Sequence, residues 1–403
     1  MKIRKNCRIC NHRLKKIINL GKISLVGLFY KKKKKLDKFS LTLCFCSKCK
    51  HVQISEIIDP KILFKEYTWE TGVSKVNFKL FSNLVSDLQK KIKTSDKILE
   101  IASNDGSFLD YLKNKYKCYL LGVDPAKNLA SKHKSINIIK SFFNHMESKK
   151  IKKKFGKFDF IFARNVLAHV TNPNEIFKGM YELLNPKGIG FIEVPHLLPI
   201  IKNNQYDNIF HEHQGFHSLK SIDDLCKKNN LDLIDVKLVD LQGGSLRCQI
   251  QKNNHFKKNN SIKKIISIEK KYKLFDGRYL ATYKDKINNH KKELINLLKN
   301  LKKKNKKISA YGASGKGQAL MQFCNVDNKI IDYVFDLSKL KNNKYTPGTN
   351  IRISHPKKIN YQKIDYILLL SWNLKKEILQ QEYKFLKNGG KFIIPFPKPG
   401  IIK

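Results

Sequence analysis

Two pairs of cysteines carry the first chemistry legible in the chain. Cys7-Arg-Ile-Cys10 and Cys46-Ser-Lys-Cys49 each offer two thiols from one tight knuckle. Two such pairs suit the four corners of a tetrahedral zinc ion, and four thiolates leave no position open for water, so the metal would be structural. Cys44 would share a face with Cys46 in an extended segment and ranks behind it as a ligand. The second site is a turn of small residues. Residues 98–107, Ile-Leu-Glu-Ile-Ala-Ser-Asn-Asp-Gly-Ser, read as a buried strand running into a loop that lets a ligand approach the backbone. About 20 residues on, Leu120-Leu-Gly-Val-Asp124 ends a second strand with a carboxylate suited to ribose hydroxyls. A nicotinamide cofactor would want the fuller G-x-G-x-x-G, which this loop lacks. The pattern therefore predicts an S-adenosylmethionine site built from Glu100, Ala102, Asp105, Gly106 and Asp124. Asn165 joins it after the fourth strand, with His169 one helical turn further on.

A third constellation is Phe210-His211-Glu212-His213 with His217 beyond it, whose histidines by their spacing alone read as a second metal site or a loop of ordinary polar residues. A fourth, Ser309-Ala-Tyr311-Gly312-Ala-Ser-Gly-Lys316-Gly317, again follows a strand and opens a helix, where N–H groups and a lysine favour an anion. It is no Walker loop, because Gln318 stands where that motif has its lysine.

These loops need a sheet to hold them. Short apolar runs at Lys97–Ile101, Tyr119–Val123, Ile136–Ile139, Phe158–Ala163 and Gly188–Val194 alternate with helical patterns such as Asn174–Leu184. That alternation predicts a parallel, doubly wound α/β core. A helix-rich stretch (Pro60 to Lys93) precedes it, and the Lys/Asn-rich Lys252–Lys264 marks a boundary after it. One long amphipathic helix, Ile265–Lys303, then leads into a second α/β set at Lys307–Tyr311, Ile331–Phe335, Tyr366–Ser371 and Lys391–Pro395. The expected division is a zinc-binding module over 1–70, a Rossmann-like methyltransferase domain over 71–255 and a C-terminal α/β domain over 256–403.

At 403 residues, 41% of them hydrophobic, the chain is long enough for more than one packed core. The net charge of +48 raises nucleic-acid binding, but the charge is nearly all lysine and runs along the whole chain without an Arg-rich, aromatic-interleaved patch. A nucleic-acid partner is accordingly not expected. Neither a signal peptide nor a membrane span is expected, which points to the cytoplasm; the oligomeric state stays open, a monomer included.

Taken together, the cysteine pairs, Glu100/Asp105/Gly106, the Phe-His-Glu-His segment, Gly243-Gly-Ser-Leu-Arg247 and Tyr311-Gly-Ala resemble the three-part sugar C-methyltransferases over nearly the whole chain. The resemblance implies C-methylation at C-3 of a nucleotide-linked 4-keto deoxysugar through an enolate. It makes His213 the base, with Glu212 and His211 shaping it, and implies that the Tyr67–Ser74 and Glu193–Pro195 segments border the cleft. It also implies that the C-terminal part binds the nucleotide sugar through Tyr311, Gly312, Lys316, Asp336, Lys341 and Trp372, with Phe210 and Arg247 of the methyltransferase domain joining them. The family usually has Tyr where this chain has Phe210, so a phenol that would hydrogen-bond the keto sugar is missing; Tyr206, Tyr67 and His217 are candidate substitutes. O- or N-methylation of a sugar or other small molecule is the rival activity. A zinc-bearing nucleic-acid-binding protein is the rival of another class.

Overall fold

Strands covered on both faces must be apolar throughout. The segment Lys97–Ile101 meets that condition, with Ile98, Leu99 and Ile101 all buried. It lies inside a seven-stranded sheet. The strands in chain order are β1 (Lys97–Ile101), β2 (Tyr119–Val123), β3 (Asn137–Ile139), β4 (Phe158–Arg164), β5 (Leu184–Pro195), β6 (Leu231–Val239) and β7 (Ser245–Lys252). Their spatial order is β6-β7-β5-β4-β1-β2-β3. The first five are parallel, while β7 runs antiparallel to both β5 and β6. The order reverses between β1 and β4, which places a crevice at their carboxyl ends. The computed structural model describes residues 1–402 apart from 65, 74, 87, 89–91, 131–134 and 253–258. Ser74 and residues 253–258 of the expected Lys252–Lys264 boundary therefore lie outside the described residues.

The second sheet holds β8 (Ile308–Tyr311), β9 (Tyr333–Phe335), β10 (Arg352–Ser354), β11 (Tyr366–Leu369), β12 (Lys391–Ile394) and β13 (Gly400–Ile402), in the order β10-β9-β8-β11-β12-β13. It has its own reversal, between β8 and β11. Among the described residues no helix is long and apolar enough to cross a membrane.

A four-stranded antiparallel sheet precedes both: Lys15–Ile23, Phe39–Phe45 and Val52–Ile54, closed by the distant Gly215–Phe216. Its apolar face is not a separate core. Ile18, Leu41 and Leu43 pack in one cluster with Ile287, Leu294, Leu320 and Met321 of the C-terminal part. The N-terminal module thus shares its burial with the domain most distant from it in sequence.

Two expectations are corrected here. The single helix over Ile265–Lys303 is three: Asn260–Lys271, Arg278–Ala281 and Tyr283–Lys303. Lys273 (φ 54°) and Gly277 (φ 76°) turn the chain left-handed between them, and a Cβ on Gly277 would stand 3.1 Å from the Phe45 ring. Nor do Asn165 and His169 share a helix face, because the segment after β4 is a turn with Asn165 at φ 53°.

Candidate active site

The carboxyl ends of the parallel strands in both sheets open onto one cavity of about 640 Å³. On the methyltransferase side it is lined by Glu100, Ala102, Asn104, Asp124, Arg164 and Asn165; on the C-terminal side by Ser314, Gly315, Lys316 and Ser371.

Both switch points are built alike. Asp124 follows β2 and accepts from Asn104 N–H (2.8 Å, Oδ2) and Ala126 N–H (2.8 Å, Oδ1). Asp336 follows β9 and accepts from Ala313 N–H (2.7 Å, Oδ2) and Ser338 N–H (2.8 Å, Oδ1). In each half a carboxylate at the end of one strand ties down the turn leaving its neighbour. Burial raises the Asp124 carboxyl above the usual range, and each oxygen keeps a lone pair for a ligand.

The turn after β1 and the one after β4 are held in uncommon backbone. Ala102 (φ 57°), Asn104 (φ 54°), Gly106 (φ 82°) and Asn165 (φ 53°) all sit in the left-handed region, where strain concentrates at ligand sites. Asp105 and Gly106 do not line the cavity; Asp105 accepts from Gly72 N–H (2.9 Å) and from the Ser107 hydroxyl (2.6 Å), tying the turn to a short 3₁₀ turn, Thr71–Val73. Glu100 receives the Arg164 fork at 3.1 and 2.5 Å through Oε1, while its buried Oε2 has no partner among the described residues. Burial pushes the Glu100 carboxyl up to about 7, against the pull of Arg164. A small-residue turn, an acid at the second strand and an unpartnered acid oxygen fit a ribose-bearing cofactor with a cationic sulfonium.

His213 donates from Nδ1 to the Asn208 carbonyl at 2.7 Å, since a carbonyl can only accept. Its Nε2 is then the basic nitrogen. The ring lies 4.8 Å from that of His169 and 4.1 Å from Phe210. Burial holds His213 well below the ordinary histidine value and His169 near about 4, so both rings are neutral at pH 7. The Tyr67 hydroxyl donates to Glu212 Oε2 at 3.4 Å, and burial lifts Glu212 to about 7. Tyr67, His169, Phe210, Glu212 and His213 all line the cavity, as do Trp69, Glu193 and Pro195.

Other residues singled out from the sequence lie elsewhere. His211 turns away, its Nε2 2.9 Å from the Ser40 carbonyl. Tyr206 is sealed in the shared core against His290 Nδ1 (3.1 Å) and Cys324, and His217 faces Ser221 and the His51 ring (4.5 Å). Of the three substitutes for a Phe210 phenol, the cavity holds Tyr67 alone. Arg247 forms a buried ion pair with Glu193 (2.6 Å), and the Tyr311 hydroxyl donates to Glu382 (3.0 Å). Gly312, Asp336, Lys341 and Trp372 do not line the cavity: Lys341 pairs with Asp336 at 3.2 Å, and the Trp372 indole donates to Asp207 at 2.7 Å. Lys316 reaches the cavity, donates to the Gln242 carbonyl at 2.8 Å, and is lowered by burial to about 8.

Sequence reasoning did not count Asn104 or Arg164 among the site residues. Asn104 accepts from Thr71 N–H (3.0 Å) and donates to the Trp69 carbonyl (3.2 Å), and so carries the cover segment. The signal for Arg164 was its place at the end of β4, beside β1, within reach of Glu100.

Cys7, Cys10, Cys46 and Cys49 converge, with all four Sγ atoms within 4.8 Å of one another. The Cys7–Cys49 and Cys10–Cys46 separations are 3.5 and 3.4 Å. A tetrahedron of thiolates at about 2.3 Å from zinc fits this set. Cys44 is outside it, its thiol 3.9 Å from the Thr42 carbonyl.

Residues 7–64 match a family model described as a zinc binding domain, 75–236 a methyltransferase domain, and 240–397 a C-methyltransferase C-terminal domain. The C-methyltransferase NovU of Streptomyces niveus is 29% identical over 405 residues, covering 98% of this chain and 96% of its own. Two solved structures overlap loosely. Magnesium protoporphyrin IX methyltransferase from Synechocystis with bound SAM has 9% identity, covers 44% of this chain and 81% of its own, and gives a TM-score of 0.34. An S-adenosylmethionine dependent methyltransferase from Mesorhizobium loti has 10% identity, covers 41% and 96%, and gives 0.33. Those three domains in tandem and a C-methyltransferase relative along nearly its whole length show that the chain is an S-adenosylmethionine-dependent methyltransferase, similar in its three-part build to the C-methyltransferases.

Proposed function

We propose that the chain methylates a carbon of a nucleotide-linked 4-keto deoxysugar, with His213 as the general base. One observation carries this reading: a neutral histidine with Nδ1 committed to a backbone carbonyl lies in a cavity that reaches both glycine loops. A carbon becomes a nucleophile only after losing a proton, and a ketone beside it makes that proton removable as an enolate. His213 Nε2 takes the proton. The Asn208 carbonyl and the Phe210 and His169 rings hold the imidazole in one tautomer and one plane. S-adenosylmethionine, when bound, supplies an electrophilic methyl group. Glu100, Asp124 and the 102–106 turn hold the donor's end of the cavity, and Lys316 offers a cation to the anionic acceptor.

The enolate oxygen needs a donor, and with Phe210 in place of a phenol the candidates in the cavity are the Tyr67 hydroxyl and the Lys316 ammonium. The relative is named a C-methyltransferase, which supports carbon over oxygen as the acceptor atom. The test is incubation with methyl-labelled S-adenosylmethionine and a panel of nucleotide 4-keto sugars, locating the label by NMR. Label on a carbon next to the ketone is expected; label on oxygen, or transfer to none of the panel, overturns the proposal.

A further inference from the structure

The zinc knuckle does more than close a small fold. Arg8 lies between its first two cysteines, and Arg4 just before them. Arg8 donates through Nη2 to the carbonyls of Leu167 (3.0 Å) and Val170, and Arg4 donates through Nη1 to the Thr171 carbonyl (3.0 Å). These three carbonyls bracket His169 in the turn after β4, and residues 164–172 except Leu167 line the cavity. Arg8 is buried, and among the described residues no carboxylate forms an ion pair with it or with Arg4. A buried charge without a partner is costly. Four thiolates around one divalent zinc carry a net double negative charge, which two guanidiniums would balance.

The same module grips the other histidine loop. Strand Val52–Ile54, just past Cys49, pairs with Gly215–Phe216, and Gln214 N–H donates to the Ala168 carbonyl at 2.7 Å. Gln53 in turn accepts from Arg8 N–H at 2.9 Å.

We infer that the zinc tetrathiolate is the counter-charge of an Arg4/Arg8 clamp that fixes the His169 turn, so that zinc occupancy and cofactor binding are coupled. Arg4 and Arg8 are positioning residues; they act through the turn that lines the cofactor's side of the cavity. The inference rests on cofactor binding there, and not on the sugar acceptor or on His213 as base.

Coupling between two sites is reciprocal: if zinc strengthens cofactor binding, the cofactor must retain zinc by the same factor. The experiment follows zinc release from the full chain with a colorimetric chelator, with and without saturating S-adenosylhomocysteine. In the native protein the half-release chelator concentration is expected to rise about tenfold with that ligand, within the usual range of coupling factors. Arg8→Gln should bring the ratio close to one, and Arg8→Lys, which keeps a cationic donor, should restore part of it. Lys228→Ala removes a different anchor of the knuckle, the bond from Nζ to the Ile9 carbonyl (2.6 Å), and should leave the ratio intact. Should Arg8→Gln not fold, Arg4→Gln, which loses one carbonyl contact, is expected to lower the ratio by about threefold. A native ratio of one overturns the inference, and so does a ratio that survives Arg8→Gln or collapses equally in Lys228→Ala.

Discussion

His213→Asn is the sharpest perturbation of the proposed mechanism. The asparagine amide stands close to where Nδ1 stood and can still donate to the Asn208 carbonyl, now 2.7 Å from that nitrogen. The basic Nε2 is gone. General-base catalysis contributes about a hundred- to ten-thousand-fold, which is about 2.7–5.4 kcal/mol of barrier at about 1.36 kcal/mol per tenfold. The loss belongs in kcat. Affinity for S-adenosylhomocysteine should hold, because the 102–106 turn and Asp124 are tied to each other and to Gly72, not to His213. The assay is transfer of labelled methyl under saturating cofactor, beside calorimetric titration of S-adenosylhomocysteine. In the proposed mechanism the neutral ring is the base, and burial holds its value well below 6.5, so the native rate should fall with acid only below that pH. Transfer by the variant within about threefold of native, with cofactor affinity unchanged, refutes the assignment. An acid limb centred above pH 6.5 refutes the neutral, buried base.

Three further outcomes follow from the surrounding contacts. Lys316→Gln removes the cation on the C-terminal side; one charge-assisted bond is worth about 1.5–3 kcal/mol, so the acceptor KM should rise about ten- to a hundredfold with S-adenosylhomocysteine affinity unchanged, and an unaltered KM would exclude it from acceptor binding. Arg247→Met leaves the Glu193 carboxylate buried without its 2.6 Å partner, for which urea unfolding should show a loss of about 3–5 kcal/mol; a loss under about 1 kcal/mol would mean that the pair is dispensable. Gly312→Ala puts a side chain at φ 91° into the Ser371 hydroxyl, with a cost of about 1–3 kcal/mol from overpacking and strain. Its thermal midpoint should drop, and a nucleotide diphosphate should bind more weakly while the cofactor does not.

Strands with a single buried register were the most legible features. Lys97–Ile101 and Tyr119–Val123 are apolar runs ended by a turn and an acid, and the structure has them at those limits. The cysteine cluster was equally plain, since a tetrahedral ion demands two close pairs whatever lies between them. Features set by long-range packing were not legible. The four-stranded N-terminal sheet takes its edge from Gly215–Phe216, some 160 residues away, and no local period announces that. The breaks at Lys273 and Gly277 interrupt a helical stripe that composition continues, and at Gly277 the Phe45 ring of another module leaves little room for a side chain. Within the candidate site, residue type was easier to read than direction. His211 and His213 are two apart in a turn, so they face opposite ways, one to Ser40 and one into the cavity. Tyr206 is a phenol in the right segment, but the core claims it.

The cavity is polarised, and that polarity explains how so basic a chain would bind a cationic donor. A charge of +48 repels a sulfonium at long range, yet exposed charges are screened beyond about 8 Å at physiological ionic strength. In the proposed arrangement the donor meets Glu100 and Asp124, both buried, on the methyltransferase side of the cavity. The proposed acceptor, an anionic nucleotide sugar, meets the opposite pattern: the lysine field at long range, then Lys316 at the wall. The two ligands should therefore answer salt differently. Between about 0.05 and 0.5 M salt the donor's affinity should change by less than about threefold, because its partners are buried and near. The acceptor's association rate should fall by about tenfold or more, as expected for steering by surface charge. Stopped-flow binding of S-adenosylhomocysteine and of a nucleotide diphosphate at graded salt measures both. Equal salt dependence for the two would mean that the lysine field, and not the local carboxylates and Lys316, governs entry.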